Sequence, residues 1–374
     1  MRRRAVYNPA VAQSVRIAGA GLSGLATALL LARAGFEVEL FERRGTPGGR
    51  FFGGWQVLEN GTSELDVLEE LVSLGLAPGF PVRPVTRAVF VDHRGRHFEV
   101  ASKLPFSYLV RRGGGDGLDT WLLARCREAG VRVFVGQEGP DDVDVVATGP
   151  RHADGVARER LFATDLRDTV MVLFDPTVTP TGYGYLFCID GAATFGVAQV
   201  RGVRSLRRAE EVAWERFRAA LGEFSVRNED ERGQFMNFSM PRTLHGPDAR
   251  WYVGEAAGVQ DFLFGLGNRL ALRTAALAAA GLRGAFDQTT FERTVVRQMR
   301  ASVALRFLYE RLGRSGFTAL CRNASRRDFR ELLIQLQRPG VLLSLVARCV
   351  MPFWRARGGC QHAPTCSWCR RSET

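Results

Sequence analysis

The stretch VRIAGAGLSGLATALLLARAGFEVELFERRGTPGGR, residues Val15 to Arg50, decides the fold. Val15-Arg16-Ile17-Ala18 is a short apolar strand, and Gly19-Ala20-Gly21-Leu22-Ser23-Gly24 is a loop with little room for side chains. From Leu25 to Ala34 the apolar residues Ala28, Leu29, Leu31 and Ala32 recur at helical spacing, Gly35 ends the helix, and Val38 to Glu42 form a second strand. The order predicts a β-α-β unit. Gly19 permits the tight turn, Gly21 lets backbone approach a pyrophosphate, and Gly24 lets helix and strand pack closely. The helix start, with Leu22 and Ser23, offers free amide donors, so an anion belongs there. Glu42 follows about 20 positions on, as a ribose 2′-hydroxyl acceptor requires. Its charge repels a 2′-phosphate, so the expected nucleotide is FAD or NAD and not NADP.

The rest of the composition describes an ordinary globular chain. Its 374 residues are 46% hydrophobic and 24% charged, enough for one elaborated or two structural domains, without repeats or low-complexity tracts. The net charge of +12 is almost entirely arginine, with Lys103 the single lysine. A basic surface attracts phosphates and acidic lipid headgroups. The arginines are scattered and no recognition module accompanies them, so no nucleic-acid partner is expected. Arg2, Arg3 and Arg4 precede an apolar run broken by Asn8, Pro9, Gln13 and Ser14, unlike a secretory signal. A cytoplasmic protein is expected, and its seven scattered cysteines fit a reducing compartment.

Beyond the second strand, Arg43-Arg44-Gly45-Thr46-Pro47-Gly48-Gly49 resembles the RxGxxGG doublet of a large group of flavoproteins, among them amine oxidases, phytoene desaturases and geranylgeranyl reductases. The resemblance favours FAD over NAD and implies that Arg43 and Gly49 border it. Arg50 meets a phosphate or the flavin edge, or is a solvated loop arginine; the residues alone leave both open. Tyr108 to Arg112 leads through a glycine-rich turn into a helix marked by Leu118, Trp121, Leu122 and Ala124, ending near Gly130, and a strand follows from Val131 to Val135. This resembles the R-x-x-(F/L)-D-x-x-L helix of geranylgeranyl reductases and aromatic hydroxylases, in which Arg112 is the cofactor-side arginine. Leu118, Asp119 and Leu122 match, while Gly113 to Gly117 lengthen the gap after Arg112. Asp144 to Gly149 reads as a buried strand entering a turn, and Ala153-Asp154-Gly155 as a turn or as a remnant of an A-D-G motif.

Pro180 to Phe187 resembles the P-x-x-Y-x-W-x-F motif of geranylgeranyl reductases, with Tyr185 where those enzymes carry tryptophan. Alternation sends Tyr183, Tyr185 and Phe187 to one face of a strand. The resemblance implies that this face lines a substrate cavity; the pattern alone fits an aromatic core stripe as well. Gly254-Glu255-Ala256-Ala257-Gly258, followed by Gly265-Leu266-Gly267-Asn268, resembles the G-D-A-A-G…G-x-G signature, with Glu255 in place of aspartate. It implies a carboxylate toward the ribityl chain and a helix, Arg269 to Ala280, whose start faces the pyrimidine side of the flavin.

The three cofactor motifs, the glycine loops of Gly19 to Gly49, the Arg112 turn and helix, and the Gly254 to Asn268 stretch, span residues 15 to 280 in order and resemble the geranylgeranyl reductase-like branch of the FAD-dependent oxidoreductases. The implied class is α/β. A Rossmann-like FAD-binding domain, a parallel sheet with helices, would occupy 1–80, 108–160 and 246–285. It would be interleaved with an antiparallel β-sheet substrate domain in 81–107 and 161–245. A helical C-terminal region, 286–374, would follow. The implied activity is reduction of C=C bonds in an apolar, isoprenoid-like substrate by hydride from reduced flavin. An aromatic hydroxylase is the alternative, and a non-catalytic flavin-binding assembly protein a third. No second dinucleotide fingerprint occurs, so the electron donor is external, NAD(P)H or a redox protein.

After Pro339-Gly340, VLLSLVARCVMPFWRAR is too short and too interrupted to span a bilayer. It lies in a membrane interface or covers the core as a helix. Cys360, His362, Cys366 and Cys369 supply the ligand types of a tetrahedral zinc site; solvated thiols or a local disulfide fit the same residues.

Overall fold

The computed structural model describes residues 13–200, 205–338, 340–351 and 366. Ser14–Ala18 and Glu37–Glu42 pair in parallel, from Ser14 opposite Glu37 to Ala18 opposite Phe41, with the helix Leu22–Arg33 between them in sequence. The expected β-α-β unit is thus in place. Its sheet has five strands in the order Trp251–Tyr252, Val145–Val146, Ser14–Ala18, Glu37–Glu42, Arg132–Val135. All pairings are parallel. The chain leaves Ser14–Ala18 toward one side and later returns on the other, so the strand order switches there. In open parallel sheets that switch opens a crevice beyond the strand ends. The helices Leu22–Arg33, Asn268–Leu282 and Leu118–Glu128 pack together beside this sheet.

A second sheet of seven strands runs Arg227–Met236, Gly155–Ala163, Ala192–Val200, Gly182–Ile189, Thr169–Phe174, Arg87–Asp92, His97–Ala101. It is antiparallel except where Thr169–Phe174 meets Arg87–Asp92. Period-two alternation in Gly182–Ile189 gives the sheet two different faces. Leu186 and Cys188 join Phe195 in a core cluster under the helix Leu206–Leu221, which contributes Ala213 and Phe217. Gly184 lets that helix sit close, because a methyl there would stand 3.3 Å from the Phe217 ring. Tyr183, Tyr185 and Phe187 point the other way, Tyr185 stacking on Phe187 and Tyr183 tilted against Tyr185 by 44°. A three-stranded antiparallel sheet, Trp55–Glu59, Ser107–Arg111 and Arg83–Val85, completes the strand layers.

From Gln288 onward the described chain is helical: Gln288–Phe291, a wide turn at Glu292–Val296, then Arg297–Tyr309, Arg314–Ala324, Phe329–Gln337 and Val341–Val350. Phe329 stands edge-on to Phe90 and Phe106, which ties this region to both sheet systems. Among the described residues no single helix is long and apolar enough to cross a membrane. Phe329–Gln337 and Val341–Val350, bent by 62°, pass together by length and composition alone. Val341–Val350 covers the core with one face, through Val346, Ala347 and Val350, while Val341 and Leu342 at its start are 80% and 75% exposed.

Candidate functional site

At the switch point the glycines divide their work. Gly19 has φ +102° and a methyl on it would stand 2.6 Å from the Ala147 carbonyl carbon, so the loop turns against the neighbouring strand. A methyl on Gly24 would overlap the Gly19 carbonyl oxygen and meet Ala147 Cβ at 3.1 Å. Only Gly21 leaves its side open, with nothing within 4 Å of an added methyl. Gly21 also caps the helix with no side-chain hydrogen bond, and the first turn holds no acid. Leu22 and Ser23 are buried in that turn. Its amides therefore remain available to an anion approaching over Gly21. Glu42, buried at the end of the second strand, accepts from the Ala20 amide and the Arg44 amide at 2.9 Å each. That fixes a carboxylate beside the loop. Arg43 is exposed and stands away from these contacts.

The RxGxxGG segment does more than pass the crevice. Gly48, at φ +66°, leaves room for Asp119, whose Cβ would stand 2.6 Å from a methyl there; Gly49 meets no side chain closer than 3.7 Å. Asp119 is fully buried and holds Arg112 through Nε at 2.6 Å and Nη2 at 2.8 Å, and it accepts from the Gly113 amide at 3.1 Å. Arg112 also donates to Asn268 Oδ1 at 2.7 Å. The lengthened turn after Arg112 folds on itself: a methyl on Gly117 would stand 2.7 Å from the Gly113 carbonyl carbon. The second and third motifs therefore meet through one arginine. Gly254, at φ +57°, lies against Ser23, which brings the third motif to the first. Gly267 caps the helix Asn268–Leu282 without a side-chain bond and without an acid of its own in the first turn, where the Arg269 amide donates to Glu59 Oε2 at 3.5 Å.

Arg50 reaches across the crevice. It donates through Nε to Gln234 Oε1 at 2.9 Å, pairs with Glu255 and bonds the Phe235 carbonyl. It is neither solvated nor free, and Glu255, expected to face a ribityl chain, is held by Arg50 and by the Asn237 amide at 3.3 Å.

Beside this crevice lies a cavity of about 220 Å³. Tyr183, Tyr185 and Phe187 line it, with Phe51 and Arg50 from the crevice side, Gly265 and Leu266 from the third motif, and Phe329 and Leu333 from the C-terminal helices. The aromatic face of the strand is thus a cavity wall. Gly196 on the next strand makes room for the Tyr185 ring, whose hydroxyl oxygen would stand 2.5 Å from a methyl there. Tyr185 donates to Glu159 at 2.6 Å and Tyr183 to the Phe264 carbonyl at 2.5 Å. Burial, with Glu159 adjacent, pushes the Tyr185 hydroxyl well above its ordinary range.

Sequence reading missed the acids of this wall. Burial pushes Glu59 up to about 7, against the nearby Arg269 and Arg273, and pushes Asp261 up to about 6. Both arginines are buried and share Glu70. Nothing in the local pattern of Leu58-Glu59-Asn60 signals a buried carboxyl, because its arginines come from a helix some 210 residues later. Burial also raises the thiols of Cys126 and Cys321 to about 12 and that of Cys188 to about 11, which makes them inert core groups. Of the expected zinc ligands, Cys360, His362 and Cys369 lie outside the described residues, and Cys366 is buried beside Pro241. Among the described residues no cluster has the makings of a metal site.

Comparison with known proteins agrees with this architecture. A family model described as an NAD(P)-binding Rossmann-like domain matches residues 17–63. Thiamine thiazole synthase of Thermotoga maritima is 42% identical over 66 residues, 15% of this chain and 26% of that one. The match thus spans about a quarter of that relative. Among solved structures, a geranylgeranyl bacteriochlorophyll reductase-like protein from Thermoplasma acidophilum superposes with a TM-score of 0.67 at 16% identity, over 90% of this chain and 96% of that one. The flavin-dependent halogenase CmlS gives 0.55 at 16% identity, over 92% and 77%. 2-Methyl-3-hydroxypyridine-5-carboxylic acid oxygenase gives 0.55 at 17%, over 85% and 97%. At such identities the likeness establishes the fold: a Rossmann-like parallel sheet with helices, an antiparallel sheet and C-terminal helices, arranged as in these proteins.

Proposed function

We propose that the chain is an FAD-dependent oxidoreductase that reduces C=C bonds of a largely apolar substrate. The observation that carries the reading is the open helix start at Gly21, with Glu42 fixed beside it. Gly19, Gly21, Leu22, Ser23 and Gly24 would take the pyrophosphate, and Glu42 the ribose. Gly49 and Arg50 would border the isoalloxazine, Arg112 and Asn268 would hold the strand and helix that frame it, and Gly254, Glu255, Gly265 and Gly267 would shape its far side. Arg43, being exposed, would contribute only charge at the rim.

Bound flavin would supply hydride chemistry that no side chain here provides. The protein's part is position and dryness. Tyr183, Tyr185 and Phe187 would present an aromatic wall against which a substrate chain or ring lies, and Phe329 and Leu333 would close the cavity from the C-terminal side. Electrons would come from NAD(P)H or a redox protein docking transiently. The exposed Val341, Leu342 and Leu345 support a further reading, contact with a membrane surface from which an apolar substrate is drawn. The same wall admits a planar aromatic ring, which keeps flavin-dependent hydroxylation as the second reading. Zinc has no part in this proposal.

Anaerobic reduction of the flavin-loaded protein followed by addition of prenyl substrates tests the reaction. Reoxidation without oxygen supports the reductase, whereas reoxidation that requires oxygen and yields a hydroxylated product overturns it in favour of the hydroxylase.

A further inference from the structure

Four nearly buried side chains on the cavity wall, Glu59, Gln260, Asp261 and Gln298, have polar atoms that the protein leaves unmatched, Asp261 through Oδ1, and the half-buried Gln337 adds an unmatched Oε1. Glu59, 4% exposed, has Oε1 without a partner. Gln260 donates through Nε2 to the Gly265 carbonyl, and its Oε1 is left over. Gln298 accepts from Arg273 at 2.8 Å, which fixes its amide orientation and leaves Nε2 without an acceptor. Both Glu59 and Gln298 flank the same buried arginine, Arg273. Polar atoms shut away from water and left unpaired are costly, so such a set calls for an occupant that completes it.

The set has a definite chemistry. It contains two amide acceptors, Gln260 Oε1 and Gln337 Oε1, one donor, Gln298 Nε2, and two carboxyls, Asp261, which burial raises to about 6, and Glu59. Burial brings the Glu59 carboxyl to about 7, so near neutrality it is available as either donor or acceptor. The set offers no positive charge to an anion. Among the described residues of the wall Arg50 is the sole arginine, and Glu255, Gln234 and the Phe235 carbonyl already hold it. Arg269 and Arg273, behind the wall, are taken by Glu70. Gln56, Thr62, Ser107, Glu159 and Gln234 also line the cavity, and the remainder of the wall is largely apolar, including Phe90, Phe106, Val170, Val172 and Phe174.

We propose that the cavity selects an uncharged, largely apolar molecule bearing a hydroxyl group, and that Glu59, Gln260 and Gln298 recognise that hydroxyl. A hydroxyl both donates and accepts, which the mixed set requires; a methyl ether only accepts, and a diphosphate brings charge that nothing in the cavity neutralises. The assignment deepens the flavoenzyme reading of this cavity and depends on it for the chemistry, though not for the binding.

Calorimetric titration of the purified protein with geraniol, geranyl methyl ether and geranyl diphosphate tests it, and 2-naphthol against 2-methoxynaphthalene repeats the comparison for a ring. The expected result is that at least one alcohol binds about ten-fold or more tighter than its ether, with the diphosphate weaker than geraniol. In a folded Glu59→Leu variant that preference shrinks to roughly three-fold or less; should the variant not fold, Gln260→Met and Gln298→Met serve, each reducing it. Ether or diphosphate binding as tightly as the alcohol, or no binding of either alcohol, overturns the proposal. Flavin content is measured on the same samples. A chain unable to take up FAD overturns the flavoenzyme reading while leaving the alcohol preference to stand or fall by itself.

Discussion

Gly21→Ala and Gly24→Ala separate the two demands made on the first loop. A methyl on Gly24 would overlap the Gly19 carbonyl oxygen and meet Ala147 Cβ at 3.1 Å, so helix and strand must move apart. Overpacking of this kind costs about 1–3 kcal/mol, and more where backbone must shift. At roughly 2–4 °C per kcal/mol in a large domain, the melting temperature should fall by about 3–10 °C. Gly21 sits at φ −81° and ψ −177°, a conformation alanine adopts, and has open space around it. Its replacement costs at most the cap preference, about 1 kcal/mol. The added methyl instead occupies the approach of the pyrophosphate and should raise the FAD dissociation constant at least ten-fold, about 1.4 kcal/mol. Circular dichroism melting of the flavin-free proteins and fluorescence titration with FAD read the two effects separately. Wild-type FAD affinity in Gly21→Ala would refute the seating of the pyrophosphate over that residue, and wild-type melting in Gly24→Ala would refute the packing argument.

Further outcomes concern the buried polar groups. Asp119→Ala strands Arg112 in the core and should cost about 3–5 kcal/mol in urea denaturation; an unchanged midpoint would show that the pair is dispensable. Glu59, raised by burial to about 7 from 4.5, keeps a proton in the folded chain that the unfolded chain has released. Its stabilising contribution is complete below 4.5 and is lost as pH rises through about 7, with a slope of at most about 1.4 kcal/mol per pH unit. Denaturation at a series of pH values should therefore show Glu59→Gln flattening the profile in that window, and parallel profiles would contradict the burial effect. Tyr185→Phe removes the donor to Glu159, which retains Gln56 at 2.9 Å, so the expected loss is modest, about 1 kcal/mol, with the cavity intact. A collapse of the fold would show that the tyrosine carries more than one bond.

Much of the site was legible because its demands are local. The glycine spacing from Gly19 to Gly24 announces a tight turn and a close packing, and both are found. The alternation of Tyr183, Tyr185 and Phe187 predicts a shared face, and the structure makes that face a cavity wall because the opposite face is taken by the helix Leu206–Leu221. What was not legible is non-local. Arg112 binds Asn268 across 156 positions, and Arg50 binds Glu255 across 205, pairings no spacing rule foretells. The glycines after Arg112 interrupt the spacing of a motif, yet they loop back and let Asp119 reach the arginine. Glu59 reads as one more acid in a polar stretch until the fold sets it among buried arginines. The apolar run at Val341 and Leu342 favours a core-covering helix over an interfacial one, and only packing shows that these two residues stay exposed while Ala347 and Val350 are buried.

The most direct test of the account is the absorbance spectrum of the purified protein, with mass spectrometry of whatever is released on denaturation. Flavin bands and FAD released at about one per chain are expected. A colourless protein that cannot be reconstituted with FAD would contradict the account.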